Sequence, residues 1–177
     1  MANLAIDAAL DSRSALYDLG VEFYSGRRVR QNYANAALLW RKAVALGSVG
    51  AQNNLGYLLF NGLGIERDAE AAVTLWRSAA QAGHIESQIH LGDAIFRGMG
   101  TGADDREGLA WAMCAARRAR DSNHEDPELG GGHGVAEDAN ALVELLSKSA
   151  TPDEVDAAAQ LASSPLCRPT TMKNSDL

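Results

Sequence analysis

The residues whose types could bind a metal lie in one short segment of the chain. His84, Glu86 and His90 supply two imidazoles and a carboxylate, and zinc takes such ligands. The two histidines stand at i and i+6, which places them on different faces of a helix, whereas zinc proteases use a pair at i and i+4. His124 and His133 could add ligands, but no set of three or four is legible. We therefore expect no metal site.

Two cysteines are the candidate nucleophiles, and neither has a recognisable base beside it. Cys114 falls within an apolar segment, so we expect a small buried thiol that fills a gap between helices. Cys167 falls in the C-terminal tail. Two cysteines do not make a disulfide framework, and nucleophilic catalysis needs a positioned base. We expect no catalytic residue and interpret the chain as not an enzyme.

Glycine clusters at Gly62–Gly64 and Gly98–Gly102 loosely resemble the loops that bind nucleotide phosphates. Such loops follow a β-strand and open a helix, and the sequence carries no strand pattern. The glycines fit turns instead, and no cofactor is expected.

Composition and charge exclude several classes of protein. The 177 residues carry a net charge of −7, which makes nucleic-acid binding unexpected. Residues 1–120 hold 13 basic and 12 acidic residues, whereas residues 121–177 hold 3 and 11, so the acidity lies in the C-terminal third. No apolar run is long enough for a membrane-spanning helix. The first residues show no secretory signal, so the expected compartment is the cytoplasm.

The elements that would position any site form an internal repeat with a period of 36 residues. Leu-Gly pairs recur at Gly20, Gly56 and Gly92, and other columns keep the same register without an insertion. Each unit reads as two helices. The first ends at turn glycines, and the second begins at a capping residue such as Asp68. A glycine in mid-helix predicts close approach of a neighbouring helix, with Trp76 supplying bulk opposite it.

This pattern resembles the Sel-one-like repeat (SLR), a relative of the tetratricopeptide repeat. The second copy carries the resemblance almost throughout, in Leu55, Gly56, Leu59, Gly62, Trp76, Ala79 and Gly83. The third copy departs from it, because it lacks the closing glycine and has Trp111 one place early. Over residues 14–122, the resemblance implies an all-α fold, a right-handed α-solenoid of three antiparallel helix pairs. It also implies an adaptor that binds other proteins.

The expected organisation is three repeat units followed by a C-terminal part outside the repeat. The three units span about residues 14–50, 51–86 and 87–122. They are followed by a Gly-rich acidic loop over 123–135, a C-terminal capping helical hairpin over 136–163, and a disordered tail over 164–177. Thr151, Pro152 and Glu154 form a good helix start inside the capping segment.

The resemblance also implies that the first helix of each unit lines a concave binding face. Carried over position by position, that face includes Tyr17, Val21, Tyr24 and Ser25, then Asn53, Tyr57, Phe60 and Asn61, and then Ile89, Asp93, Phe96 and Arg97. Tyr24, Phe60 and Phe96 form an aromatic column at the repeat period. The column fits the wall of a protein-binding groove, and it fits ordinary core equally well.

We therefore interpret the chain as a non-catalytic adaptor that binds a partner protein or peptide on its concave face. The alternative is an inhibitor or immunity-type protein that occludes an enzyme through its acidic C-terminal region. A monomer or a weak homo-oligomer is expected. Two arginine clusters, Arg27–Arg30 and Arg117–Arg120, fit either a solvated face or a docking site for an acidic partner.

Overall fold

Helices follow the pattern of caps and glycines along the chain. The computed structural model describes residues 12–121, 134–164 and Cys167. The helices that these residues form are α1 Arg13–Ser25, α2 Tyr33–Ala45, α3 Val49–Asn61, α4 Ala69–Gln81, α5 Ile85–Phe96, α6 Asp105–Asp121, α7 Val135–Ser147 and α8 Pro152–Ser163. Among the described residues there is no strand, and none of these helices has the length and apolar character needed to cross a membrane.

Consecutive helices pack as pairs, and the pairs stack. α1 packs on α2, α3 on α4 and α5 on α6, while contacts of α2 with α3 and of α4 with α5 join each pair to the next. Their buried side chains form one main core that runs through all three pairs. The all-α solenoid expected from the sequence is confirmed.

Capping side chains fix where the second helices begin. Asn32, Asp68 and Asp104 each accept a hydrogen bond from the backbone N–H three residues on, at 3.0, 2.9 and 3.0 Å. Because these caps recur at the repeat period, the helices of successive units start in the same register.

The first helices have their own caps, which the sequence analysis did not single out. Ser48 accepts a hydrogen bond from the backbone N–H of Ala51 at 3.1 Å, and His84 takes the equivalent place for α5. The helices therefore begin at Val49 and Ile85, two residues before the expected unit boundaries at 51 and 87.

Tryptophan packs directly on the mid-helix glycines. An added Cβ at Gly56 would overlap the indole of Trp76, whose Nε1 donates a hydrogen bond to the backbone oxygen of Asn53 at 3.1 Å. Gly20 and Trp40 repeat this contact in the first pair. The predicted close approach is confirmed at both positions.

The third pair keeps the close approach by a different contact. Trp111 stands one place earlier in the repeat, and its Nε1 donates to Glu107 at 3.2 Å. Gly92 instead faces the backbone of α6, where an added Cβ would lie 2.9 Å from the carbonyl oxygen of Gly108. Two glycines therefore let α5 and α6 meet backbone against backbone.

The C-terminal helices cap the array by packing on α6. Both α7 and α8 contact α6, and α7 also contacts α5, whereas α7 and α8 do not pack closely on each other. The capping box expected at the start of α8 is confirmed, because Thr151 and Glu154 each bond the backbone N–H of the other. α7 begins at Val135, one residue before the expected start.

Cys114 and Cys167 form a disulfide, which corrects the expectation of two unpaired cysteines. Cys114 is buried in α6 as expected, but it is not a free thiol, and Cys167 is buried rather than part of a disordered tail. Their Cα atoms are 5.4 Å apart, a separation that a disulfide spans. The chain returns to α6 after α8, and this return cannot be read from a separation of 53 residues. The rest of the expected tail and most of the loop, including His124 and His133, lie outside the described residues.

Candidate functional site

Five of the expected concave residues line one groove of about 340 Å³. They lie on α1 and α3, and they are Tyr17, Val21, Tyr24, Asn53 and Tyr57. Four residues that the sequence analysis did not place there complete the groove, namely Trp40, Asn54, Glu86 and His90. We call this surface the tyrosine groove. Its residues come from all three helix pairs.

The aromatic rings of the groove support one another. The ring of Tyr24 lies 5.6 Å from that of Trp40 and 6.4 Å from that of Tyr57, which it meets edge to face. Tyr57 continues the series to His90 at 6.1 Å, and His90 stacks on Trp76 at 4.8 Å. Burial raises the pKa of Tyr24, so its hydroxyl stays neutral. Rings held in this way lose little conformational freedom when a partner binds.

Asn53 holds the carboxylate of Glu86 in the groove. Its Nδ2 donates to Glu86 Oε2 at 3.0 Å and to Asn54 Oδ1 at 3.2 Å, while its Oδ1 accepts from Ser87 Oγ at 2.9 Å. Asn53 is only 3% exposed, so it positions Glu86 rather than contacting a partner. Burial raises the pKa of Glu86, the hydrogen bond from Asn53 opposes that change, and Asp138 adds to it.

The two histidines are structural and uncharged at neutral pH. His84 caps α5, accepting a hydrogen bond from the backbone N–H of Ser87 at 3.2 Å, and burial lowers its pKa to about 3. Burial lowers the pKa of His90 to about 4, with Asp93 opposing the shift. Across the part of the chain that the structure describes, no three metal-binding side chains converge.

The expected aromatic column divides between groove and core. Tyr24 lines the tyrosine groove. Phe60 packs on Trp76 with ring centroids 5.1 Å apart, and Phe96 is partly buried against the core. Only the first member of the column is therefore a wall of this groove.

The remaining expected site residues lie outside the tyrosine groove. Ile89 packs on the core, and Asn61 donates to the backbone oxygen of Tyr57 at 2.9 Å. Asp93 and Arg97 form an ion pair at 2.6 Å on α5. These polar groups bond to their own helix, which reduces what they can offer a partner.

A column of polar residues could have identified part of the groove from the sequence. Asp18, Asn54 and His90 stand 36 residues apart, one place after the column of Tyr17 and Asn53. Glu86 also stands at i and i+4 with His90, on one helix face. Glu86 and His90 were considered only as metal ligands, and their place in the groove was therefore not expected.

A second surface brings together acidic side chains from the third helix pair and from the C-terminal region. Asp104 and Asp105 at the start of α6 and Asp153 and Glu154 at the start of α8 line a cleft of about 520 Å³. Arg106 also lines it. In the inhibitor alternative, this cleft is the acidic surface that would contact the enzyme.

The arginine clusters are partly used within the fold. Arg118 Nε donates to the backbone oxygen of Gly83 at 2.8 Å, and burial lowers its pKa. Arg28 lies 3.6 Å from Glu22 in an exposed ion pair. Arg118 therefore ties α6 to the turn between α4 and α5, which leaves less of its cluster for docking.

Comparison with solved structures finds the same architecture. A protective antigen present in uropathogenic Escherichia coli strains, which displays an SLR fold, superposes with a TM-score of 0.72 and 25% identity over 88% of this chain. The chain spans 30% of the length of that protein. A Sel1 repeat protein from Oxalobacter formigenes gives a TM-score of 0.59 and 22% identity, covering 87% of this chain and 71% of its own. No curated protein matches the chain.

The family comparison agrees with the repeat seen in the sequence and in the helix pairs. The family model described as the Sel1 repeat matches three times, at residues 13–48, 49–84 and 85–119. These spans begin at the first residues of α1, α3 and α5. The chain belongs to the Sel1 repeat family.

Proposed function

We propose that this protein is a non-catalytic adaptor that binds a partner protein or peptide in the tyrosine groove. One observation carries the proposal: aromatic rings from the first two helix pairs and a carboxylate from the third line one groove. Sel1 repeat proteins generally mediate protein–protein interaction, and aromatic residues dominate the energetics of such interfaces.

Rigidity supports the same proposal. The groove residues are fixed by ring contacts and by the bonds of Asn53, whereas Tyr57 remains 36% exposed. A preformed surface with an accessible aromatic anchor binds without a large rearrangement. Tyr57 is therefore the residue that we expect to contribute most to affinity.

Site-specific photo-cross-linking tests this docking site. A benzoyl-phenylalanine introduced at Tyr57 should form a discrete adduct with one cellular protein. The same probe at Leu38, an exposed residue of α2, should not form it. An adduct at Leu38 with none at Tyr57 would contradict docking in the groove.

The inhibitor alternative has its own supporting observation. The acidic cleft between α6 and α8 lies near the C-terminal region, where Leu145 and Leu161 are 51% and 41% exposed. A probe at Leu145 that captures an enzyme, together with loss of that enzyme's activity, would favour inhibition. Capture at Tyr57 with the enzyme still active favours the adaptor.

Three further features remain proposals with direct tests. Absence of catalysis and of nucleic-acid binding follows from the adaptor proposal, and light scattering would distinguish a monomer from a weak homo-oligomer.

The cytoplasmic location can be tested through the disulfide, because disulfides are rare in the reducing cytosol. Because both cysteines are buried, cells would be quenched with acid and the protein alkylated after denaturation; Cys114 and Cys167 should be labelled if the protein resides in the cytosol and unlabelled if it resides in an oxidising compartment.

A further inference from the structure

The carboxylate of Glu86 has an unused side that faces the groove. Oε2 accepts the hydrogen bond from Asn53, while Oε1 receives none from a described residue. Within the same part of the chain, Glu86 forms no ion pair. A half-buried carboxylate without a cationic partner is an acceptor available to a ligand.

The charges around Glu86 favour a cation. Glu86 is the one carboxyl group among the described residues that line the groove, and no lysine or arginine stands among them. His90 beside it and His84 at the helix start are neutral, because burial lowers the pKa of each to about 4 and about 3. Asp138 of α7 adds a second negative charge nearby. No positive charge in the lining opposes a cationic ligand.

The groove walls also suit a cation of a particular shape. Tyr24 and Tyr57 both line the groove and contact each other edge to face, with ring centroids 6.4 Å apart, and Tyr57 is 36% exposed. Aromatic faces attract cations, and arginine uses this contact more often than lysine. The guanidinium is planar, is less strongly hydrated than an ammonium, and pairs with a carboxylate through two hydrogen bonds.

An anionic ligand, such as the C-terminal carboxylate of a peptide, does not fit. Among the described residues, no lysine or arginine lines the groove to bind it, and both hydrogens of the Asn53 amide are already used by Asn54 and Glu86. Glu86 itself would repel an anion. Asn53 therefore holds the carboxylate of Glu86 and is not available to bind a ligand carboxylate.

We propose that the tyrosine groove is a receptor for one arginine side chain of the partner, which pairs with Glu86 and packs on the exposed ring of Tyr57. This inference rests on the adaptor proposal and adds the chemistry by which the groove recognises its partner. The cavity of about 340 Å³ is at the small end of the roughly 300–1,000 Å³ of ligand pockets, which suits a single long side chain.

An NMR titration of the full oxidised chain tests the receptor with defined probes. The probes are acetyl-arginine methylamide and its uncharged counterpart acetyl-citrulline methylamide, with acetyl-lysine methylamide as the second cation. We expect the arginine probe to shift amide signals at residues 53–57 and 86–90 at concentrations at least about tenfold below those needed for citrulline, since hydrogen bonds between charged groups are worth about 1.5–3 kcal/mol.

Matched variants connect this preference to the carboxylate. Glu86→Gln keeps an oxygen for Asn53 to bond but removes the charge, so the preference for arginine over citrulline should disappear. Glu66→Gln, at an exposed residue between α3 and α4, should retain it. Tyr57→Ala, at an exposed position, is a second variant that should weaken the arginine probe.

Each other result overturns the inference. Equal binding of arginine and citrulline, no shifts with either probe, shifts outside the groove, or a preference that persists in Glu86→Gln would do so. Lysine binding as tightly as arginine would overturn the choice of arginine. The photo-adduct at position 57 separates the two proposals: if it forms equally in the probe-bearing chain with Glu86 and in the one with Glu86→Gln, the adaptor proposal stands and the arginine receptor fails. If it forms in neither, the adaptor proposal itself fails.

Discussion

At the scale of single residues, small side chains and caps repeat because each has one physical task. Gly20 and Gly56 make room for an indole, and the Trp76 N–H bonds a backbone oxygen that the close approach brings within reach. Gly56 in mid-helix sacrifices about 1 kcal/mol of helix propensity relative to alanine. The recurrence of the pair shows that the packing contact outweighs that loss.

Replacing Gly56 by alanine should therefore destabilise the protein although alanine is the better helix former. The added Cβ would overlap the Trp76 ring, and overpacking of this kind costs about 1–3 kcal/mol. Thermal and urea unfolding would measure the change. Gly102→Ala is the matched control, because nothing lies within 4 Å of its added Cβ, and its stability should be unchanged or slightly higher. Equal effects of the two substitutions would refute the packing explanation.

His84 gives the fold a dependence on pH. It is 2% exposed, and its pKa falls to about 3 in the folded state against 6.5 in the unfolded chain, so the unfolded chain binds the proton more readily. The stability that neutral His84 supports is present above pH 6.5 and is lost as the pH falls from there toward 3. Between pH 7 and pH 5 the linkage amounts to about 2 kcal/mol.

His84→Asn should remove this part of the pH dependence while keeping the helix cap, since asparagine is a strong N-cap residue. The free energy of unfolding of wild type and variant would be compared at pH 7 and pH 5, with His90 left to titrate in both. The variant should lose less stability on acidification than wild type. Parallel losses would mean that His84 is not the titrating group.

The sequence predicted the residues whose type recurs at the repeat period. It missed those whose type does not recur. The roles of Asp68, Asn32 and Trp76 could be predicted because the equivalent position of another unit holds a residue with the same role. His84 was misread because its column changes from serine to histidine while its capping role stays the same. Glu86 has no counterpart in the other copies, where Gly50 and Ser14 stand, so periodicity could not reveal it.

At the scale of elements, α6 is the helix on which the C-terminal part of the chain depends. α7 and α8 both pack on it, and Cys167 is linked to it through Cys114. The sequence predicted both helices from apolar periodicity and the Thr151 cap. It did not predict the disulfide, because two cysteines 53 residues apart meet only once the return of the chain to α6 is known.

Reducing this disulfide should lower the free energy of unfolding by about 2–4 kcal/mol, because it closes a long loop in the unfolded chain. Urea unfolding with and without dithiothreitol would measure the effect. Cys167→Ser should match the reduced wild type and should not respond to the reductant. Identical unfolding of oxidised and reduced wild type would show that the link contributes nothing to stability.

At the scale of the whole molecule, stacking three helix pairs produces a surface that no pair has alone. The tyrosine groove takes rings from the first two pairs and its carboxylate from the third. The family resemblance implied that the first helix of each unit lines one face, and Tyr17, Tyr24 and Tyr57 of two such helices line the same groove. It could not separate groove from core for Phe60 and Phe96, because that depends on how far each ring sinks against Trp76 or the neighbouring helix.

The most direct test of the account is the affinity of the cross-linked partner for two surface variants. Tyr57→Ala alters the groove, and Leu145→Ala alters an apolar residue on α7 that is more exposed than Tyr57. We expect the Kd of the partner to rise at least about tenfold for Tyr57→Ala, since hot-spot aromatics contribute 2 kcal/mol or more, and to stay within about twofold for Leu145→Ala. A Kd unchanged by Tyr57→Ala and raised by Leu145→Ala would contradict the tyrosine groove as the binding site.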